Sequence, residues 1–364
     1  MKPKLRFSNF INDYEIKDVS DITSNISSGK ISKQLEDGEY NVYGSMGIIG
    51  KSNFYDYAGE KVLVARVGAN AGSVNKINEK CCISDNTLVL EPKDILNDYL
   101  YYALSHYNPK KLIFGSGQPL VTGGQLKKIK LGIPSKVEQL KVSNFLSLLD
   151  KKIELQSKKI EDLKLFKMST LDKYFNKDTC KEKALLKKYC SCLTGKSKAD
   201  KVDINGKYYI MDMGTVNSDG NILKTKPTFC NLDLLSYGDL VMPKDDIGGG
   251  LIIGKTGFID EDNKYVLGDH VYLLKVNDIN SLFLHYQINS KYINKQLKRK
   301  VTGSAQLGLK SDNILNQEIY IYSEEEQKKI ANIFKLIDRK IELETEKIFK
   351  LINLKKGLMQ NMFV

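Results

Sequence analysis

The run Gly249-Gly-Leu-Ile-Ile-Gly254-Lys255-Thr256 comes nearest to a chemical signature in this 364-residue chain. It satisfies the G-x-x-x-x-G-K-T pattern of a phosphate-binding loop, in which backbone amides cradle phosphate oxygens and the lysine reaches them. That chemistry needs a strand before the run and a helix opening at Gly254. Leu251-Ile-Ile253 is itself β-like and Gly257-Phe258 opens no helix, so the run reads as a hairpin inside a larger module. The three histidines, His106, His270 and His285, occupy unrelated positions. The six cysteines (Cys81, Cys82, Cys180, Cys190, Cys192, Cys230) form no regular framework. A zinc site from Cys180, Cys190, Cys192 and Cys230 would lack the paired C-x-x-C spacing such sites favour. Asn108-Pro109-Lys110 is not the Asn-Pro-Pro-aromatic site of base methylation. No catalytic residue, metal site or cofactor is therefore expected in this chain.

Charge points elsewhere. The net charge is +12 and the pI about 9.1, a balance that favours a polyanion, nucleic acid before membrane. Arg66, Lys110, Lys111, Lys127, Lys128 and Lys130 lie in or beside loops of the first half; Lys244, Lys295, Lys298, Arg299 and Lys300 do so in the second. Such side chains neutralise phosphates and set salt dependence. Arg66, Gln118 and Gln306 have the geometry to read base edges in a major groove. Met1-Lys-Pro-Lys-Leu-Arg-Phe7 has no apolar run, and no apolar segment approaches the ~18 residues of a membrane span. A cytoplasmic chain with reduced thiols and no membrane partner is expected.

These side chains need a scaffold, and the scaffold is duplicated. Glu138-Gln139, Asn144, Asp150 and Lys152-Ile-Glu-Leu155 reappear as Glu326-Gln327, Asn332, Asp338 and Lys340-Ile-Glu-Leu343, 188 residues on with no gap. Val142, Leu146, Leu149, Ile153, Ile160 and Leu163 fall on one heptad seam; Ile330, Phe334, Ile337, Ile341, Ile348 and Leu351 fall on the other. This 4-3 spacing buries one helix against another. Both seams carry polar residues at the same two places, Gln156/Glu344 and Lys167/Lys355, which cost stability but fix register. With no Gly or Pro before Gly357, each stretch reads as one helix of about 57 Å at ~1.5 Å per residue. The two are expected to pack on each other as a rod.

The stretches before the helices also repeat. Tyr14–Ser24 is mixed, Ser27-Ser-Gly-Lys30 reads as a turn, and Tyr40–Tyr43, Lys61–Arg66, Thr87–Leu90 and Leu131–Pro134 read as strands. Val67–Gly72 reads as a glycine-rich hairpin or bulge, and 95–104 as a helix. Gly59-Glu-Lys-Val62 matches Gly238-Asp-Leu-Val241 at an offset of 179. Asp85, Leu88–Leu90, Leu100 and Tyr102 match Asp269, Tyr272–Leu274, Leu284 and Tyr286 at 184, and Gly115-Ser-Gly-Gln118 matches Gly303-Ser-Ala-Gln306 at 188. The second half places its extra residues in the basic stretch Asn289–Lys300. One scaffold with different loops suits two modules doing one job on different targets.

Gly115-Ser-Gly-Gln118, Gln125-Leu-Lys-Lys-Ile-Lys-Leu-Gly-Ile-Pro134, Glu138-Gln139 and Leu149–Glu154, with the opening Leu5-Arg-Phe7, resemble the specificity subunits of type I restriction–modification systems over the whole chain. Ile321-Tyr322-Ser323 departs from the Ile-Pro-Ser of the first copy. The resemblance implies an α/β (α+β) fold: two repeated mixed α/β target recognition domains, 1–135 and 179–322, separated by two long antiparallel helices, 136–178 and 323–364, forming a coiled coil. It implies that double-stranded DNA is bound at a bipartite asymmetric site. Two methyltransferase subunits would dock, and restriction (motor-nuclease) subunits would join through them. S-adenosylmethionine, ATP and Mg would belong to those partners, and this subunit would catalyse nothing. A self-sufficient nuclease, or a coiled-coil scaffold without a DNA role, are the alternatives. Half-site centres are expected about one helical turn apart, on the order of 34 Å. Deleting one heptad from each helix removes ~10 Å at ~1.5 Å per residue. It should shorten the tolerated spacer by about three base pairs at ~3.4 Å per pair. A methylation map with an unchanged spacer would refute the ruler.

Overall fold

The computed structural model describes residues 1–31, 35–45, 47–113, 118–179, 181–303 and 306–364. Gly115–Gly117, Cys180, Ser304 and Ala305, singled out above, lie outside the described residues. The chain divides into two compact units: Met1–Ser157 with Glu346–Val364, and Lys158–Thr345.

The first unit contains β1 (Glu15–Asp18), β2 (Thr23–Ser28), β3 (Tyr40–Gly44), β4 (Gly47–Ser52), β5 (Glu60–Ala65), β6 (Val74–Asn78), β7 (Cys81–Ile83), β8 (Thr87–Pro92), α1 (Asn97–Tyr107), α2 (Gly123–Lys127), β9 (Lys130–Ile133) and the start of α3 (Lys136–Tyr174). A four-stranded sheet runs β2-β8-β5-β6, a three-stranded one β4-β3-β7, and β1 pairs with β9. Alternation along the strands sends Val62, Val64, Leu88 and Leu90 to a core with Tyr99, Leu100 and Ala103 of α1. Leu63 and Val89 face the other way, onto Tyr57, Cys81 and Ile83. Ser27 and Ser28 belong to β2 and not to a turn, because Ile26–Ser28 pair in register with Leu88–Leu90.

The second unit contains the rest of α3, then β10 (Lys183–Leu185), β11 (Cys190–Thr194), β12 (Tyr208–Met211), β13 (Pro227–Thr228), β14 (Leu240–Pro243), β15 (Asp245–Asp246), β16 (Gly257–Phe258), β17 (Tyr265–Leu267), β18 (Val271–Val276), α4 (Ser281–Asn289), α5 (Lys291–Lys298), β19 (Leu307–Gly308), α6 (Ser311–Leu315), β20 (Glu318–Tyr320) and the start of α7 (Glu324–Met362). Its sheets repeat the plan: β11-β18-β14-β16, β13-β12-β17 and β10-β20, with β15-β19 added. The strand register corrects one sequence match. Val62 pairs with Leu90, and Leu240 pairs with Leu274, the residue 184 after Leu90. Val62 is therefore equivalent to Leu240, an offset of 178 and not 179. The sequence match was out by one residue, which would turn every side chain of the strand to the wrong face.

The two long helices span the same positions 188 residues apart, Lys136–Tyr174 and Glu324–Met362. Each opens on a serine: Ser135 Oγ accepts from the amide of Glu138 at 3.4 Å and Ser323 Oγ from that of Glu326 at 3.3 Å. Only Glu326 reaches back to its serine amide, at 3.0 Å, and completes a capping box. Glu138 is buried instead under Arg6, whose guanidinium donates to both its oxygens at 2.7 and 2.8 Å, and Tyr14 donates a third bond. Gln139 and Gln327 tie each helix to its domain in the same way: their Oε1 atoms accept from the amides of Leu96 and Asn280, and their Nε2 atoms donate to the carbonyls of Pro134 and Tyr322. Tyr322, standing where the first copy has proline, uses its hydroxyl to bond the Tyr174 carbonyl at the end of α3.

In each unit the two helices run antiparallel. In the first, Val142 and Leu146 are buried with Met362 and Phe363, while Leu149, Ile153, Ile348 and Leu351 are half-buried. In the second, Ile330 and Phe334 are buried with Leu171 and Phe175, while Ile160, Leu163, Ile337 and Ile341 are half-buried. The polar seam residues have partners. Lys167 donates to Asp338 at 2.5 Å, and Tyr286 of α4 donates to the other oxygen of Asp338 at 2.8 Å. In the first unit Lys355 and Tyr102 of α1 hold Asp150 in the same arrangement, the tyrosine at 2.7 Å. Glu344 is buried and paired with Lys159 at 2.8 Å. A double-mutant cycle on Lys167→Met and Asp338→Asn measures what the arrangement contributes. Each single change is expected to cost about 1–3 kcal/mol, because its partner stays partly buried. The double variant should lose less than the sum by about 1 kcal/mol. Strictly additive losses in urea unfolding would show that the groups are not coupled.

Candidate nucleic-acid interface

The corrected register brings the candidate cations of the two units into correspondence. Arg66 follows β5, and Lys244 follows β14. The Arg66 amide donates to the Asn86 carbonyl and the Lys244 amide to that of His270, each at 2.9 Å. The Arg66 carbonyl accepts from Val121, and the Lys244 carbonyl from Leu309. The next residues, Val67 and Asp245, bridge Leu120 and Gly308. Arg66 and Lys244 thus occupy one position in two copies of the same backbone network. Gln118 and Gln306, both exposed, stand two residues before those bridge partners.

A second pair of bonds aligns the lysine clusters. Gln125 Nε2 donates to the Leu112 carbonyl and Asn313 Nδ2 to the Lys300 carbonyl, each at 3.0 Å. On that frame Lys110 matches Lys298 and Lys111 matches Arg299. Lys110 and Lys111 sit on the short 3-10 turn Pro109–Leu112 and are exposed. A Cβ on Gly72 would lie 2.5 Å from the Lys110 amide nitrogen, so only glycine lets the turn after Arg66 approach this cluster. Lys295 and Lys298 lie on α5, and Arg299 caps it. Lys127 and Lys128 end α2, exposed; their counterparts, Leu315 and Asn316, carry no charge. Lys300 is turned inward: its ammonium donates to Gln317 Oε1 at 2.9 Å and to the carbonyls of Asn313 and Asn316 at 3.3 Å, closing the end of α6.

The phosphate-loop match does not have phosphate-loop geometry. Residues 249–254 form bends and turns, not the expected β-like hairpin arm, and strand β16 follows instead of a helix. The amides of Gly248, Ile252 and Ile253 are already taken by the Asp246 carboxylate, at 2.6, 2.9 and 3.3 Å. Cys190 and Cys192 lie on β11, and Cys230 follows β13. Folding does gather Asp212, Asp269 and His270, whose ligand-type atoms lie within 4.8 Å of one another. Asp212 pairs there with Lys226 at 2.7 Å, and His270 with Asp245 at 3.0 Å, which holds the imidazole pKa above its ordinary value. The separation of Asp212 from Asp269 and His270 in the chain hides this cluster from sequence reading.

The family model of the type I restriction modification DNA specificity domain matches residues 11–165 and again residues 191–353. The chain is 28% identical over 327 residues to the type I restriction enzyme MjaVIII specificity subunit of Methanocaldococcus jannaschii, covering 82% of this chain and 77% of that one. The fold is that of the type I restriction–modification S subunit of M. genitalium: TM-score 0.69, 17% identity, 100% of this chain and 99% of that one covered. A structure described for complex assembly and conformational transition of the type I system shares the fold at TM-score 0.59 and 13% identity, with 97% of this chain and 98% of that one covered.

His285 lies buried on α4 of the second unit. Its Nδ1 faces Thr256 Oγ1 at 3.2 Å, and it is buried against Tyr286 and Phe258. Burial, with the charges of Lys167 and Lys255, pushes its pKa down to about 3. The folded chain therefore refuses a proton that the unfolded chain accepts near pH 6.5. Stability should fall as pH drops below about 6.5, by up to ~1.4 kcal/mol per pH unit, until the folded imidazole itself titrates. A His285→Phe variant is expected to lose that part of the slope between pH 7 and 5. Equal slopes in the two proteins would refute the assignment.

Proposed function

This chain belongs to the type I restriction modification DNA specificity family, and from that premise we propose that it is the sequence-reading subunit of a type I restriction–modification complex, each unit reading one half of a bipartite asymmetric DNA site. The observation that carries this reading is the duplicated frame. Arg66 and Lys244 are held by equivalent backbone bonds, Gln118 and Gln306 stand two residues before equivalent bridge partners, and Lys110–Lys111 and Lys298–Arg299 precede carbonyls that take equivalent side-chain bonds. The cations would neutralise phosphates and fix orientation; Arg66, Gln118 and Gln306 would reach base edges.

Two methyltransferase subunits would dock on the helices. Equivalent apolar side chains stay exposed in both units: Leu148, Leu155 and Leu354 in one, Leu336, Leu343 and Phe166 in the other. A repeated apolar set suits two copies of one partner. Those partners would carry S-adenosylmethionine, and restriction subunits joining through them would bring ATP and Mg. The chain itself would contribute no catalytic group and would work in the cytoplasm. No helix among the described residues is long and apolar enough to cross a membrane.

The test is binding of the chain with its methyltransferase to a duplex carrying the methylated motif, measured across a salt series. Lys110→Ala/Lys111→Ala and Lys295→Ala/Arg299→Ala should each weaken binding on all sequences. Each should lower the magnitude of the log–log salt slope by about 0.9 for every phosphate no longer neutralised. Gln118→Ala should instead relax preference in one half-site only. Unaltered slopes in both double variants would reject these clusters as phosphate-binding groups. Cleavage by the purified chain with Mg²⁺ alone would favour the nuclease alternative.

A further inference from the structure

The second unit contains a cavity of about 560 Å³, lined by α3, α4, α5, α7 and the loops around Ser218 and Leu251. Pockets of roughly 300–1,000 Å³ are the size that encloses small organic ligands. Six lysines face it: Lys164, Lys167, Lys255, Lys291, Lys295 and Lys298. Three aspartates do so, Asp172, Asp219 and Asp338. Among the described residues only Lys167 of these six is in an ion pair, with Asp338, which also holds Tyr286. Five lysines and two aspartates outside that pair therefore line the space, an excess of positive charge that favours an anionic ligand. Met168, Leu171, Leu251 and Ile341 give the rest of the lining an apolar character.

Lys255 is the lysine of the phosphate-loop-like run. Its ammonium donates to the Asn289 carbonyl at 3.0 Å. Burial and the nearby Lys298 and Lys167 lower its pKa to about 8. The first unit builds this corner differently. Tyr101 stands where the second unit has His285, and Lys76 lies 5.3 and 5.5 Å from the rings of Tyr101 and Tyr102. Lys291, Asn294, Lys295 and Lys298 all come from the basic stretch in which the second half carries its extra residues.

We propose that this cavity binds a small phosphorylated organic molecule of the nucleotide class, its phosphates between Lys164 and Lys255 and its body against Met168, Leu171 and Leu251. The lysines, more than backbone amides, would hold the phosphates, since the amides of Gly248, Ile252 and Ile253 are occupied by Asp246. The site goes beyond DNA reading and is confined to one unit.

The experiment is titration calorimetry on the full chain without Mg²⁺, with ADP, AMP, pyrophosphate and inorganic phosphate as probes. ADP is expected to bind with one-to-one stoichiometry, at least tenfold tighter than pyrophosphate because of the apolar lining. Lys255→Met and Lys164→Met should each weaken ADP about tenfold, or ~1.4 kcal/mol. Leu251→Trp, which fills the mouth without changing charge, should abolish binding while leaving the melting temperature in place. Absence of saturable binding by every probe would overturn the proposal, as would ADP affinity indifferent to all three variants. Displacement of bound ADP by one equivalent of cognate duplex would assign the phosphates to DNA and also overturn it. Sequence-specific DNA binding measured on the same preparation stands apart: if it persists while ADP does not bind, only the cavity assignment fails.

Discussion

Each unit turns on one carboxylate held by two other elements. Asp150 takes the ammonium of Lys355 and the hydroxyl of Tyr102; Asp338 takes that of Lys167 and the hydroxyl of Tyr286. The aspartate comes from one long helix, the lysine from the other, and the tyrosine from the helix of the reading domain. The lysine also lies over the tyrosine ring, at 5.4 Å in the first unit and 5.3 Å in the second. Desolvation cancels much of the Coulomb gain of such a pair, so its weight lies in specificity more than in stability. An apolar heptad seam alone tolerates sliding by one repeat. A charge that finds its partner at only one setting does not. The same three groups fix helix register and dock the domain on the helices.

The exchange of roles between the helices has a structural consequence. In the first unit α3 supplies the aspartate and α7 the lysine; in the second the assignment reverses. Neither half of the chain completes its unit from its own residues. Met362 and Phe363, from the C-terminal end, are buried in the first core beside Tyr99, and Phe363 stacks on His106. Leu171 and Phe175, from the end of α3, are buried in the second unit beside Phe283 and Phe334. Gln139 and Gln327, by contrast, tie the start of each long helix to the domain that precedes it in the chain.

The long helices were legible because two signals coincide in them: heptad spacing and a gapless repeat. Their limits match to the residue, Lys136 with Glu324 and Tyr174 with Met362. The β-strands were legible as elements but not in register. Gly59-Glu-Lys-Val62 looks like Gly238-Asp-Leu-Val241, yet hydrogen-bond pairing equates Val62 with Leu240. Two glycines that only resemble each other in sequence misled the match by one. That slip concealed the equivalence of Arg66 and Lys244, since an offset of 179 sets Arg66 against Asp245. Lys300 looked like another surface cation; its role appears only when the end of α6 is folded beneath it. The 249–256 run has the composition of a phosphate loop, but Asp246, outside the motif, takes the amides of Ile252 and Ile253.

Equivalent position is not equivalent chemistry. The backbone that carries Arg66 and Lys244 is the same, but an arginine presents a rigid planar fork and a lysine a mobile point charge. On a DNA groove the fork suits bidentate pairing to one base edge, whereas the ammonium makes a less directional contact. Gln118 and Gln306 keep their type while the residues beside them differ, Pro119 and Leu120 against Leu307 and Gly308. Lys127 and Lys128 have no charged counterparts, and Lys295 has no cationic one. The backbone bonds around Arg66 and Lys244 are thus common to both halves, and the side chains presented beside them are not. A duplicated protein with this division can change what one half reads through a few exposed residues. The carboxylate-centred contacts that align its helices stay untouched, because they share no residue with the loops that carry the candidate cations.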